Sequence, residues 1–225
     1  MEILGYVGAL FIGLVLGLTG GGGSILTVPI LVYLMSINPV TATAYSLFIV
    51  GTTSTFGAIQ NYRKNLVDIK NGFIFAIPSF IAVYLTRKFI VPRIPEIIVE
   101  SPILITKETF LMLFFAVIMV FGALSVLKKK SQNTNSEEKK NLILIGIQTF
   151  TIGIIIGLVG AGGGFLIIPS LILFTKLQMK KAVGTSLFII ALNSLVGFIG
   201  DVQNLEIDWL FLLTFSSISV VGIFI

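Results

Sequence analysis

Nine apolar runs, each bounded by a short polar or glycine-rich break, leave this chain little room for a surface that faces water. They are residues 3–18, 24–36, 42–59, 71–91, 108–127, 142–158, 164–175, 182–199 and 208–225. Most have the length of a helix that crosses a hydrocarbon core about 30 Å thick. Only 11% of the residues are charged against 56% hydrophobic, with a mean hydropathy of +1.06, whereas soluble domains carry about 25% charged residues. The charges sit between the runs, as they do when lipid covers the rest. The fold class that follows is all-α: a polytopic transmembrane helix bundle whose principal partner is the lipid bilayer of a cell membrane.

The net charge of +5 does not point to nucleic acid, because the basic residues stand at helix ends and in loops, where lysine and arginine set membrane orientation. The chain has no cysteine and no histidine. Disulfides, thiol chemistry, the commonest metal ligand and the commonest general base are therefore excluded. No metal or other cofactor is implied, and an enzyme would lack its usual groups. Glu2 stands where a signal peptide needs a basic start, so the first run reads as part of the protein.

The sequence repeats. Shifted by 140 residues, GLTGGGGSILTVPIL (17–31) falls on GLVGAGGGFLIIPSL (157–171), and SLFI (46–49) falls on SLFI (186–189). Ser54 then meets Ser194, Gly57 meets Gly197 and Asp68 meets Asp208 without a gap. Shared glycine, proline and aspartate in one register exceeds what apolar composition alone produces. Residues 1–127 read as a first membrane repeat, 128–141 as a polar cytoplasmic linker and 142–225 as a second repeat. The second has no partner for 108–127, so an abbreviated half or a fragment is expected.

Loop charge orients the halves. The loop around 60–70 carries Arg63, Lys64 and Lys70, while its counterpart at 200–208 carries Asp201, Glu206 and Asp208. Residues 36–40 are uncharged, while 175–181 hold Lys176, Lys180 and Lys181. Equivalent loops thus fall on opposite sides of the membrane by the positive-inside rule. The result is a pair of inverted-topology repeats with the N-terminus outside, a plan shared by many secondary transporters. The runs at 24–36 and 164–175 are short for a full crossing. Segments 3–36 and 142–175 therefore read as broken or re-entrant helical hairpins, with steeply tilted full spans as the alternative.

The glycine breaks carry the candidate site: Gly20, Gly21, Gly22 and Gly23 in the first hairpin, and Gly160, Gly162, Gly163 and Gly164 in the second. Glycine lets backbone approach a ligand, and a break followed by a helix N-terminus suits an anion. The alternative is close helix packing, which the spacing of Gly13 with Gly17 and of Gly153 with Gly157 already suggests. Pro29 and Pro169 follow the breaks as structural kinks or as contacts. Ser24, Ser46, Ser186 and Asn193 are candidates to complete the site with hydroxyls and an amide, or else they bond neighbouring helices. Asp68 and Asp208, repeat mates at predicted helix ends, read as helix caps or as residues solvated at the interface rather than as coupling groups. No charged residue is placed at mid-depth, so selectivity for an anion would rest on backbone dipoles.

The pattern G-L-x-G-x-G-G-x-x-L-x-x-P at 17–29 and 157–169, with A-x-x-x-S-L-F-I at 42–49 and 182–189, resembles the sulfite exporter TauE/SafE family of membrane permeases. The resemblance spans nearly the whole chain. It implies a helical bundle that exports sulfur-containing anions such as sulfite or organosulfonates. The expected function is a secondary transporter of small anions working by alternating access between the paired breaks. A passive anion channel or a non-transporting membrane subunit is the alternative. Oligomeric state is not legible.

Overall fold

The computed structural model describes residues 2–21, 23–99, 104–127, 142–175 and 177–225. The linker expected at 128–141, Gly22 and Lys176 lie outside these residues. Every apolar run is helical: α1 (Glu2–Thr19), α2 (Gly23–Pro29), α3 (Pro39–Arg63), α4 (Ile69–Leu85), α5 (Val91–Arg93), α6 (Lys107–Leu127), α7 (Leu142–Val159), α8 (Gly164–Thr175), α9 (Met179–Asp201) and α10 (Trp209–Ile223). Two π-helical turns are not foreshadowed. One, Ile30–Leu34, prolongs α2 just past Pro29; the other, Thr86–Ile90, joins α4 to α5. A two-stranded antiparallel hairpin, β1 (Ile97–Val99) with β2 (Ile105–Thr106), precedes α6 where no strand is predicted.

The helix ends follow from local chemistry. Asp68 caps α4 by accepting from the Asn71 amide at 3.0 Å, and Asp208 caps α10 from the Phe211 amide at 3.0 Å. Asn38 caps α3 ahead of Pro39, the pairing a helix start favours. At the other end, α1 and α7 stop at glycines in the left-handed region, Gly20 at φ +72° and Gly160 at φ +71°. Each donates its amide back four residues at 2.8 Å, Gly20 to Leu16 and Gly160 to Ile156, the single-bond glycine stop of a helix.

The burial pattern is inverted relative to a soluble protein. Ile3, Leu18, Ile143 and Leu210 are 82%, 74%, 74% and 78% exposed. Meanwhile Ser24, Thr27, Ser46, Thr53, Ser54, Thr185, Ser186, Asn193, Ser194 and Arg87 are buried. Apolar side chains outside and hydroxyls inside suit a bundle surrounded by lipid, where polar groups serve as contacts between helices. Ile69–Arg93 and Met179–Asp201 are each long and apolar enough to cross a bilayer; Ile3–Thr19, Gly23–Leu34, Ile143–Val159 and Trp209–Ile223 are shorter apolar helices.

Contacts between the halves recur with the halves exchanged. Gly13 of α1 abuts the Ser219 carbonyl of α10, and Gly153 of α7 abuts the Ser79 carbonyl of α4; an added Cβ would come within 1.8 and 2.4 Å. Thr53 donates to Ser219 at 3.0 Å, and Ser79 donates to Asn193 at 2.9 Å. The Asp68 amide donates to Thr185 Oγ1 at 2.9 Å, and the Asp208 amide donates to the Tyr45 hydroxyl at 2.7 Å. In each pair the partners differ by 140 in number. The last pair also sets direction. The start of α9 meets the loop after α3, and the start of α3 meets the loop after α9, so α3 and α9 run antiparallel at the centre of the bundle.

Candidate functional site

The two hairpin tips touch. A Cβ on Gly21 would lie 2.5 Å from the Gly164 Cα, and one on Gly164 would lie 2.3 Å from the Gly21 Cα. Backbone meets backbone between α3 and α9, as only glycine on both sides permits. Around this contact Gly20 packs on Val183 and Ser186, Gly162 (φ +64°) on Val50 and Ser194, Gly163 (φ +70°) on Ile156, and Gly23 on the Ile12 carbonyl of α1. The structure therefore gathers both breaks into one place and closes it by packing. Gly22 lies outside the described residues. Ser24 donates to the Gly21 carbonyl at 2.6 Å and tightens the first tip.

The two serines of the repeated SLFI segments differ. Ser186 Oγ donates to the Gly20 carbonyl at 2.7 Å, with the Val183 carbonyl at the same distance. Ser46 is equally buried, yet its hydroxyl has no partner among the described residues, and the same holds for Ser54, Ser194 and the Asn193 amide nitrogen. Buried hydroxyls and amides normally find partners. Ser46 and Ser54 on α3 and Asn193 and Ser194 on α9 thus hold buried polar atoms that the described residues leave unsatisfied.

Sequence reasoning missed one pair. The sequence reading leaves Arg87 inside the run 71–91 without a role, sets Asp201 in the loop 200–208 and places no charge at mid-depth. The structure buries both, at 1% and 4% exposure. Arg87 Nη1 lies 3.1 Å from Asp201 Oδ2 and donates to Thr43 Oγ1 at 3.1 Å. The helix does not end at Arg87 because Phe89, Ile90 and Val91 continue it through the π-helical turn. The run 71–91 already carries the chain past Arg87, which is the signal in the sequence, and the repeat could not add one, since residue 87 has no counterpart among the 225. The guanidinium reaches the second tip: a Cβ on Gly160 would lie 2.4 Å from Arg87 Nη2 and 2.5 Å from the Thr43 Cβ. Removing Asp201 from the loop leaves Glu206 and Asp208 to oppose Arg63, Lys64 and Lys70, so the charge contrast between equivalent loops weakens but keeps its sign.

A cavity of about 420 Å³ opens elsewhere, between α3, α4 and α9, and its lining is apolar, including Ala58, Ile59, Ile69, Phe73, Phe188 and Leu195. The equivalent place in the other half is filled by Phe48, Phe198 and Trp209, whose rings pack edge-on or tilted at 5.0–6.1 Å. Phe198 and Trp209 stand where the first half has Ala58 and Ile69. The cavity is thus a difference in side-chain size, and it offers nothing to an anion.

Comparison with known proteins identifies the family. Residues 6–225 match the family described as Sulfite exporter TauE/SafE. A probable membrane transporter protein of Xylella fastidiosa (strain 9a5c) is 27% identical over 203 residues, covering 88% of this chain and 73% of that protein. The probable membrane transporter protein YunE of Bacillus subtilis (strain 168) is 27% identical over 233 residues, covering 91% and 79%. A probable membrane transporter protein of Methanocaldococcus jannaschii is 27% identical over 205 residues, covering 88% and 68%. No solved structure matches the chain significantly. The repeated glycine-break motif, the apolar exterior and the match over residues 6–225 together establish that the chain belongs to the sulfite exporter TauE/SafE family of membrane transporters.

Proposed function

We propose that the protein is a secondary transporter that exports small anions, sulfite or organosulfonates, across the cell membrane by alternating access at the meeting point of the two glycine breaks. The observation that carries this reading is the Gly21–Gly164 contact between antiparallel α3 and α9, flanked on both helices by hydroxyls that have no partner among the described residues. Two short hairpins entering from opposite faces and meeting inside the bundle are the parts from which alternating-access sites are built. Part of the anion selectivity comes from donors that stay buried until a ligand displaces the packing. A closed contact of this kind favours a gated carrier over an open channel. The test is flux in proteoliposomes containing the purified chain, against a panel of sulfite, sulfate, thiosulfate, taurine and acetate. The reading expects saturable sulfite or sulfonate flux that an ion gradient can drive uphill. Flux that only dissipates a gradient would favour the channel.

In the membrane this reading places residues 1–127 and 142–225 as inverted-topology repeats, the linker 128–141 in the cytoplasm and the N-terminus outside. The antiparallel course of α3 and α9 and the remaining loop charge support it. Lys64 and Asn204 are exposed equivalents, one just after α3 and one just after α9. Neighbouring Asn65 has φ +57° and would be strained as cysteine. Single cysteines at Lys64 and Asn204 should react with an impermeant maleimide from the cytoplasmic and outer faces respectively. Labelling of both from one face would reject the inversion.

A further inference from the structure

The two ends of the tip contact are equivalent by the repeat but not in chemistry. At one end Gly20 packs against Val183 and its carbonyl satisfies Ser186. At the other, Gly160 packs against Thr43, which takes the place of Val183, and against Arg87, while Ser46, in the place of Ser186, is left unpartnered among the described residues. Ser46 lies three residues beyond Thr43 on α3 and so faces the same way. Thr86 packs on Gly157 of the second hairpin, and its hydroxyl is also buried without a partner among the described residues. Among the described residues, the serine beside the first tip is thus satisfied, while Ser46, Thr86 and two nitrogens of Arg87 near the second tip are not.

Arg87 dominates that end. Its contacts with Asp201 and Thr43 both fall on Nη1. Nε and Nη2 are buried with no partner among the described residues. These two nitrogens form the side edge of the guanidinium, whose parallel N–H groups match two oxygens of one oxyanion. A pair serving packing alone would gain most by turning this edge to Asp201, because a bidentate pairing is the stronger arrangement. Instead Asp201 takes one nitrogen, and Nη2 of the free edge lies against the glycine tip. In the proposed orientation, this is the outer side of the closed contact.

We infer that Arg87 is the anion-coordinating residue of the transporter, its Nε–Nη2 edge receiving an oxyanion beside Gly160 with help from Ser46 and Thr86, and Asp201 acting as the internal counter-ion that competes with it. The inference rests on the anion-transport reading above and adds the charged group that reading lacks. The ligand class is oxyanions that present two oxygens side by side, such as sulfite, sulfonate or sulfate; the edge does not by itself choose among them.

The test uses the full chain in a neutral detergent, with sodium sulfite as the probe and sodium chloride at matched ionic strength as the reference. The thermal midpoint is followed against sulfite concentration, and sulfite flux is measured in proteoliposomes. Arg87→Lys keeps the charge and the ion pair but not the fork; it should stay folded and weaken apparent sulfite affinity roughly tenfold or more, the value of one charge-assisted bond. Asp201→Asn removes the competitor. It should be unstable in chloride, recover with sulfite and bind it roughly tenfold more tightly than the wild type. Equal sulfite stabilisation of the wild type and Arg87→Lys overturns the inference, as does an Asp201→Asn protein that sulfite does not rescue. Wild-type flux that persists unchanged in Arg87→Lys would leave the transport reading intact and remove Arg87 from it. Arg87-dependent stabilisation without flux in the wild type would do the reverse.

Discussion

Gly164→Ala is expected to remove most of the folded, monodisperse protein, whereas Gly146→Ala changes nothing. The added methyl at position 164 would sit 2.3 Å from the Gly21 Cα and 3.0 Å from its carbonyl carbon, and backbone on a packed hairpin tip cannot rotate away. Around Gly146 nothing lies within 4 Å. Overpacking a tight core costs about 1–3 kcal/mol when side chains can yield, and more when only backbone can. The loss at Gly164 should therefore reach about 3 kcal/mol. Gly162 is intermediate: its φ of +64° penalises any side chain, but the atoms in the way belong to Val50, Ser194 and Ile190, which can shift. The ranking Gly164, then Gly162, then Gly146 is read from thermal midpoints and size-exclusion profiles of the three alanine variants. A wild-type midpoint for Gly164→Ala would show that the tips do not touch in the protein's resting state.

The contrast between these glycines shows what could be read from the chain alone. The breaks stand out in the sequence because four glycines in a row serve no single helix face, and the 140-residue register pairs them. Asp68 and Asp208 are legible as caps for the same reason, and both do cap a helix. What the register cannot show is which side of an approach the glycines serve. The freedom that lets backbone near a ligand also lets backbone near backbone, and here Gly21 and Gly164 meet each other. The β1–β2 hairpin was invisible because its strands have three and two residues, too short for period-two alternation to register. The π-helical turns depend on tertiary packing rather than on local propensity. Arg87 stands inside the run 71–91, but an arginine near the end of an apolar run usually marks the interface; its pairing with Asp201, 114 residues away, is something no local pattern reports.

Asp201→Ala should be among the most damaging single changes in the protein, and the double change Arg87→Met with Asp201→Leu should largely undo the damage without restoring transport. Removing the carboxylate strands a guanidinium that is 1% exposed, and loss of one partner of a buried pair costs about 3–5 kcal/mol. Replacing both partners with apolar side chains of similar volume removes the uncompensated charge, and such replacements are often neutral or stabilising. Denaturant unfolding in micelles should thus place the double variant near the wild type and Asp201→Ala far below it. Flux separates the two roles of the pair. If the ion pair only holds the π-helical turn after α4 to α9, the double variant transports as well as it folds. If Arg87 coordinates the anion, the double variant is folded and inactive, because methionine fills the space of the guanidinium but presents no donor to an oxyanion. Wild-type flux in a stable double variant would assign the pair to packing and return anion recognition to the hairpin backbone and the hydroxyls of α3 and α9.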